Sequence, residues 1–156
     1  VAPYEIAIIP MINKNDTSAL DKANNINKEL LKNNIDAIIE AKYDEKNEIM
    51  KWPLSVAPYD VGLIPMINKN DTSALEKAIN INKELTSSNI ETIIDDTDEN
   101  YSSKIKKMNL IGAPYQIIIG KQTDGDLLEF KEVGKDSQKL KLKEIINLIT
   151  EQKIKN

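Results

Sequence analysis

Short apolar runs alternate with stretches of helical period along this chain, and the opening series occurs twice. Tyr4 to Pro10 and Tyr59 to Pro65 are runs rich in branched residues and closed by proline, the pattern of a buried strand. After the first run, Asn13 to Ser18 supplies turn and cap chemistry, with Asp16, Thr17 and Ser18 all able to cap a helix. Leu20, Ala23, Ile26, Leu30 and Leu31 then recur at helical spacing, which predicts an amphipathic helix over 19–32 and a second strand over 35–39. The later series predicts the same order. Its helix carries Leu75, Ala78, Ile79, Asn82 and Leu85 behind a capping box of Ser73 and Glu76, and its strand runs over 90–94, ending at Asp95-Asp96. Aligned at an offset of 55, residues 1–39 and 56–94 agree at 28 of 39 positions.

The two series continue differently. Beyond residue 94 the pattern predicts a short helix over 102–111 and closure by Gly112 in the left-handed region. A buried strand over 115–120, a hairpin turn at Asp124-Gly125 and a returning strand over 127–133 come next. Ser137 is the expected cap of a last helix with Leu142, Ile145, Ile146 and Ile149 on its apolar face. Residues 47–55, with Trp52-Pro53, read as a connector. The expected division is therefore a truncated β-α-β copy plus connector over 1–51, and a complete β-α-β-α-β-β-α unit over 52–156. The fold class is α/β, a mixed, mostly parallel sheet flanked by helices. The truncated copy is too small to bury a core alone. Three arrangements are open to it: extending the sheet of 52–156, exchanging into a second chain as a homodimer, or staying partly disordered.

Composition narrows the chemistry. The chain has 156 residues, no cysteine and no histidine, which removes thiolate and imidazole nucleophiles, bases and metal ligands. No phosphate-binding glycine loop or dinucleotide fingerprint occurs. All 21 basic residues are lysine, and the net charge is −4. Without guanidinium forks and with an acidic balance, any contact with nucleic acid has to come from a local lysine cluster. No apolar run has the length of a membrane span and no signal peptide opens the chain, so a cytoplasmic setting is expected, with no membrane partner.

One resemblance rests on separated motifs in order: WPLSVAPYDVGLIPM at 52–66, the Asp95-Asp96 pair, and LIGAPYQIIIGK at 110–121. This series resembles the C-terminal anticodon-binding domain of class IIa aminoacyl-tRNA synthetases, and within that group looks most like the bacterial prolyl-tRNA synthetases. The resemblance covers residues 52–156. It implies a non-catalytic domain that binds the anticodon stem-loop of proline tRNA, a separated part or paralogue of that ligase, with a synthetase catalytic subunit as a further partner. No cofactor is implied for this chain; ATP and magnesium would belong to a catalytic domain whose arginine-bearing motifs are absent. The departures from the family pattern are Thr97 and Asn100 at arginine positions, Tyr101-Ser102-Ser103 before the family lysine, Ile105 for an aromatic and Lys107 for an acidic residue. Lys104 keeps the lysine.

The candidate tRNA-binding residues are Lys104, Lys106 and Lys107 on a short exposed helix, Asp95 and Asp96 at a strand end, and Asn68 with its counterpart Asn13 in the loop after each first strand. Each also has a plainer reading. Lysines usually solvate a helix face, aspartates cap strand ends, and asparagines make turns. The rival function is a protein-interaction or assembly module, or a decayed synthetase fragment, that kept the fold and lost RNA contact.

Overall fold

The computed structural model describes residues 5–10, 18–38, 42–44, 49–52, 54, 57–67, 71–120 and 126–155. Its centre is a five-stranded sheet in the order β6-β5-β7-β8-β9. Here β5 is Val61–Pro65, β6 Thr92–Ile94, β7 Tyr115–Ile119, β8 Leu127–Glu132 and β9 Gln138–Lys141. The helices are α1 (Ser18–Lys32), α2 (Ser73–Ser87), α3 (Tyr101–Ile111) and α4 (Leu142–Lys155). β5 lies parallel to both β6 and β7, and the β7-β8 and β8-β9 pairs are antiparallel. The sheet is mixed as expected but not mostly parallel: among the described residues β9 adds a second antiparallel pairing, so two pairings are of each kind.

Three layers result. The run from β5 to β6 passes through α2, and the return past β5 to β7 passes through α3. Right-handed crossovers made in opposite directions put those helices on opposite faces. Ala78, Ile81 and Leu85 of α2 share a core with Leu63, Ile117, Phe130, Ile145 and Ile149, while Met108 of α3 packs with Ile64 and Ile118 on the other face. The central strands β5 and β7 are buried along their whole length, which is why both read as unbroken apolar runs. Gly62 is what lets α3 come down onto the sheet: a Cβ there would lie 2.8 Å from the Met108 sulfur.

Two expected helix starts are corrected. Ser137 caps nothing, because residues 138–141 form β9 and the helix begins at Leu142, where the Glu144 carboxylate accepts the Lys141 N–H at 2.8 Å. QKLK reads poorly as a strand because it is an edge, protected by lysines rather than marked by apolar alternation. At α2 the capping box of Ser73 and Glu76 gives way to residues just before it: Asp71 accepts the Ser73 N–H at 3.0 Å, and the Thr72 hydroxyl donates to Glu76 at 3.3 Å. The Asp124-Gly125 turn lies outside the described residues. The stretch read as a connector also carries structure: β4 (Ile49–Lys51) lies in it, antiparallel to β3 (Lys42–Asp44) just before it. Beyond β4, the Trp52 indole N–H donates to the Ile111 carbonyl at 3.1 Å.

Among the described residues the first repeat builds its own two-stranded sheet, β1 (Ile6–Ala7) parallel to β2 (Ala37–Ile38), and does not join the larger one. Its geometry reproduces the second at the same offset. Ile6 pairs with Ala37 as Val61 pairs with Thr92, the helices α1 and α2 start and stop at equivalent residues, and Asn34 and Asn89 both turn out of their helices with φ near +57° (56° and 58°). One difference leaves a mark. The Thr92 hydroxyl donates to Asn82 Oδ1, but Ala37 stands at the equivalent place, and Asn27 Oδ1 is buried without a partner. Restoring one buried hydrogen bond is worth about 1 kcal/mol. Ala37→Thr is therefore expected to raise hydrogen-exchange protection across α1 roughly fivefold.

Tyr115 connects the core to pH. Its ring stacks on Phe130 with centroids 5.4 Å apart, and burial first, then Glu132 and Asp60, push its phenol above the ordinary value of 10.0. The unfolded chain then releases this proton before the folded one. Its contribution to stability is complete below about pH 10 and is lost as pH rises past that value toward the raised one. Urea unfolding at pH 8 and 11 should show a smaller alkaline loss in Tyr115→Phe than in the parent chain.

Candidate nucleic-acid interface

The C-terminal ends of parallel strands are where ligands bind in open α/β sheets, and here β5 and β6 end side by side. The Asp95 N–H donates to the Leu63 carbonyl at 3.0 Å, which carries the pairing one residue past β6. Alternation then turns the Asp95 side chain inward, where it is buried, and leaves Asp96 exposed. Asp95 Oδ1 accepts the Thr97 N–H at 3.1 Å and the Thr97 hydroxyl as well. Three residues on, Asn100 caps α3 by accepting the Ser103 N–H at 3.0 Å. Thr97 and Asn100 thus fold the loop and start the helix.

Lys104 is not on the exposed face of α3, which corrects the sequence expectation. Its side chain is 0 % exposed, and its ammonium donates to the Pro65 carbonyl at 2.7 Å and the Asp95 carbonyl at 3.0 Å. Asp95 Oδ1 lies 3.9 Å away, and Asp95 Oδ2 is buried with no hydrogen-bond partner. Burial pushes the ammonium below the usual lysine range, and the Asp95 charge opposes that shift. The helix explains the placement: Lys104 and Met108 are four apart and share the inward face. Lys104 is a strut that ties the end of β5 to the end of β6.

The outward side chains are mixed in charge. Lys106 is exposed, and Lys107 is half-exposed and paired with Glu99 at 2.6 Å, a hydrogen bond that raises its pKa. Asp96, Asp98 and Glu99 are exposed beside them. This end can offer carboxylates to base amino groups and a few ammonium groups to phosphates. Asn68 and Asn13 lie outside the described residues. Among the described residues no cluster of acidic side chains is built to hold a metal ion, and no helix is long and apolar enough to cross a membrane.

The other end of α3 holds a contact that the sequence does not announce. Gly112 has φ +79° and its N–H donates to the Met108 carbonyl at 2.9 Å. Trp52 and the Met50 carbonyl crowd onto it, so that a Cβ would meet Trp52 Cδ1 at 2.5 Å and the Met50 oxygen at 2.8 Å. The segment before β5 is thereby clasped to the helix that carries the candidate lysines. A Trp-Pro pair 60 residues before a helix-ending glycine gives no sign in the sequence that the two meet.

The family described as Anticodon binding domain matches residues 60–152, and the chain belongs to it. Curated relatives agree. The chain is 66 % identical over 122 residues to the proline–tRNA ligase of Pelagibacter ubique, a match covering 78 % of this chain and 28 % of that protein. It is 50 % identical over 96 residues to that of Rickettsia canadensis, covering 61 % and 21 %, and 42 % identical over 84 residues to that of Magnetococcus marinus, covering 54 % and 14 %. The chain thus spans less than a third of these relatives. The 122 matched residues outnumber the 105 of 52–156, so the first similarity reaches at least 17 residues upstream of Trp52.

Proposed function

We propose that this chain is the anticodon-reading part of a proline–tRNA ligase, whether within a longer enzyme or as a separate piece, and that its ligand is the anticodon stem-loop of proline tRNA. The observation that carries this reading is the family match over residues 60–152, from the start of β5 into α4, supported by 66 % identity over 122 residues to a proline–tRNA ligase. Residues 52–156 form the binding unit. Asp96, Lys106 and Lys107 are its outward contacts at the strand ends. Asp95 and Lys104 hold that surface from beneath. A synthetase catalytic subunit is the natural partner in the cytoplasm, and ATP and magnesium act there rather than on this chain.

Salt dependence tests it. Two lysine contacts to phosphates of a single-stranded loop give a slope of about −1.4 in log K against log salt. Gel-shift titrations with proline tRNA should show that slope, and Lys106→Ala should reduce it by about half. No shift at any salt would contradict the reading. It would favour the rival assembly module, which the burial of Lys104 and the local roles of Thr97 and Asn100 make physically coherent.

A further inference from the structure

The first repeat is an unfinished copy of the second, and the comparison shows which of its surfaces lacks a cover among the described residues. Ile81 is 5 % exposed, because it lies in the core with Leu128 and Leu142; its equivalent Ile26 is 51 % exposed. Val61 is 0 % exposed with β7 on its far side, and its equivalent Ile6 is 38 % exposed on a strand whose far side carries no strand among the described residues. An open groove of about 500 Å³ runs along α1 beside Ile26 and Leu30. Open edges and apolar grooves of this kind invite association.

The elements that cover the second repeat are not available to the first. Each chain has one set of β7, β8, β9 and α4, and moving it to the first repeat would uncover the second. The fit is also worse. A Cβ at the Gly62 position collides with Met108, and the first repeat carries alanine there in its sequence. Asp60, which Lys153 bonds at 2.7 Å, is replaced by Glu5. Exchange of the C-terminal half between chains therefore gains nothing.

We propose instead that α1 and the free edge of β1 are a homodimer interface, in which the first repeats of two chains pair about a two-fold axis near Ile26. Charge supports a second copy as the occupant. Lys22 and Glu29 flank Ile26 on one side of α1 (four residues before it and three after), so antiparallel helices centred on Ile26 bring Lys22 of each chain opposite Glu29 of the other. The strand edges join in the same operation into a four-stranded sheet. This proposal is independent of tRNA binding, and its failure would leave that reading intact.

Sedimentation velocity of the 156-residue chain over a concentration series tests it. The expected result is a concentration-dependent dimer. Ile26→Asp should raise its dissociation constant at least about tenfold with unchanged far-UV circular dichroism, since Ile26 is already exposed in the monomer. Lys22→Glu should weaken the dimer, and adding Glu29→Lys should restore it. A monomer at every concentration, a dimer indifferent to Ile26→Asp, or a charge exchange that fails to restore would each overturn the proposal.

Discussion

Replacing Lys104 by methionine is expected to unfold much of the C-terminal unit rather than merely weaken a ligand contact. The substitution removes an ammonium that joins two carbonyl groups at 2.7 and 3.0 Å and leaves the Asp95 carboxylate buried with one oxygen already unpartnered. Breaking a buried ion pair from one side costs about 3–5 kcal/mol. For a unit of this size that means a fall in melting temperature on the order of 20 °C. The double variant Lys104→Met with Asp95→Asn should recover part of the loss, because it no longer strands a buried charge. If Lys104→Met melts with the parent chain and loses only tRNA, then Lys104 is a contact residue and the strut account is wrong.

Gly112→Ala is expected to be the second costly change. Alanine in the left-handed region costs about 1–2 kcal/mol by itself. The new methyl would also press on the Trp52 ring at 2.5 Å and on the Met50 carbonyl at 2.8 Å, and that carbonyl is backbone and cannot swing aside. The total is on the order of 3 kcal/mol, with Trp52 displaced from its place over α3. The chain has a single tryptophan, so the displacement is directly visible. The emission maximum should move to the red and lose intensity in the variant under native conditions. Unchanged emission would show that the clasp between the upstream segment and α3 yields without cost.

The parts of this fold that repeat a local rule are legible in the sequence, and the parts set by distant contacts are not. The runs at 61–65 and 115–119 announce buried parallel strands because both of their faces are covered. Gly112 announces a helix end through its conformational freedom. β9 is hidden because an edge strand of lysines carries no apolar period. The site is legible as a place more than as a set of roles. The Asp95-Asp96 pair and the helix after it stand where the sequence puts them, and alternation correctly separates the two aspartates. Lys104 defeats the sequence expectation because a lysine in a short helix usually faces water. Only the register of α3 on Gly62 shows that this one points between two strand ends, where carbonyl groups need a donor. Thr97 and Asn100 likewise look like lost contacts in the sequence, and in the fold each has a local backbone duty.

Anticodon reading is tested by a comparison of two tRNAs: proline tRNA with its own anticodon and the same tRNA with the anticodon bases exchanged, titrated against the chain by gel shift at one low salt concentration. A surface that reads bases through carboxylates at the ends of β5 and β6 should bind the altered tRNA about tenfold or more weakly, as expected when even one specific base contact is lost. Equal affinity for the two would show that the chain does not read the anticodon, and would contradict the account.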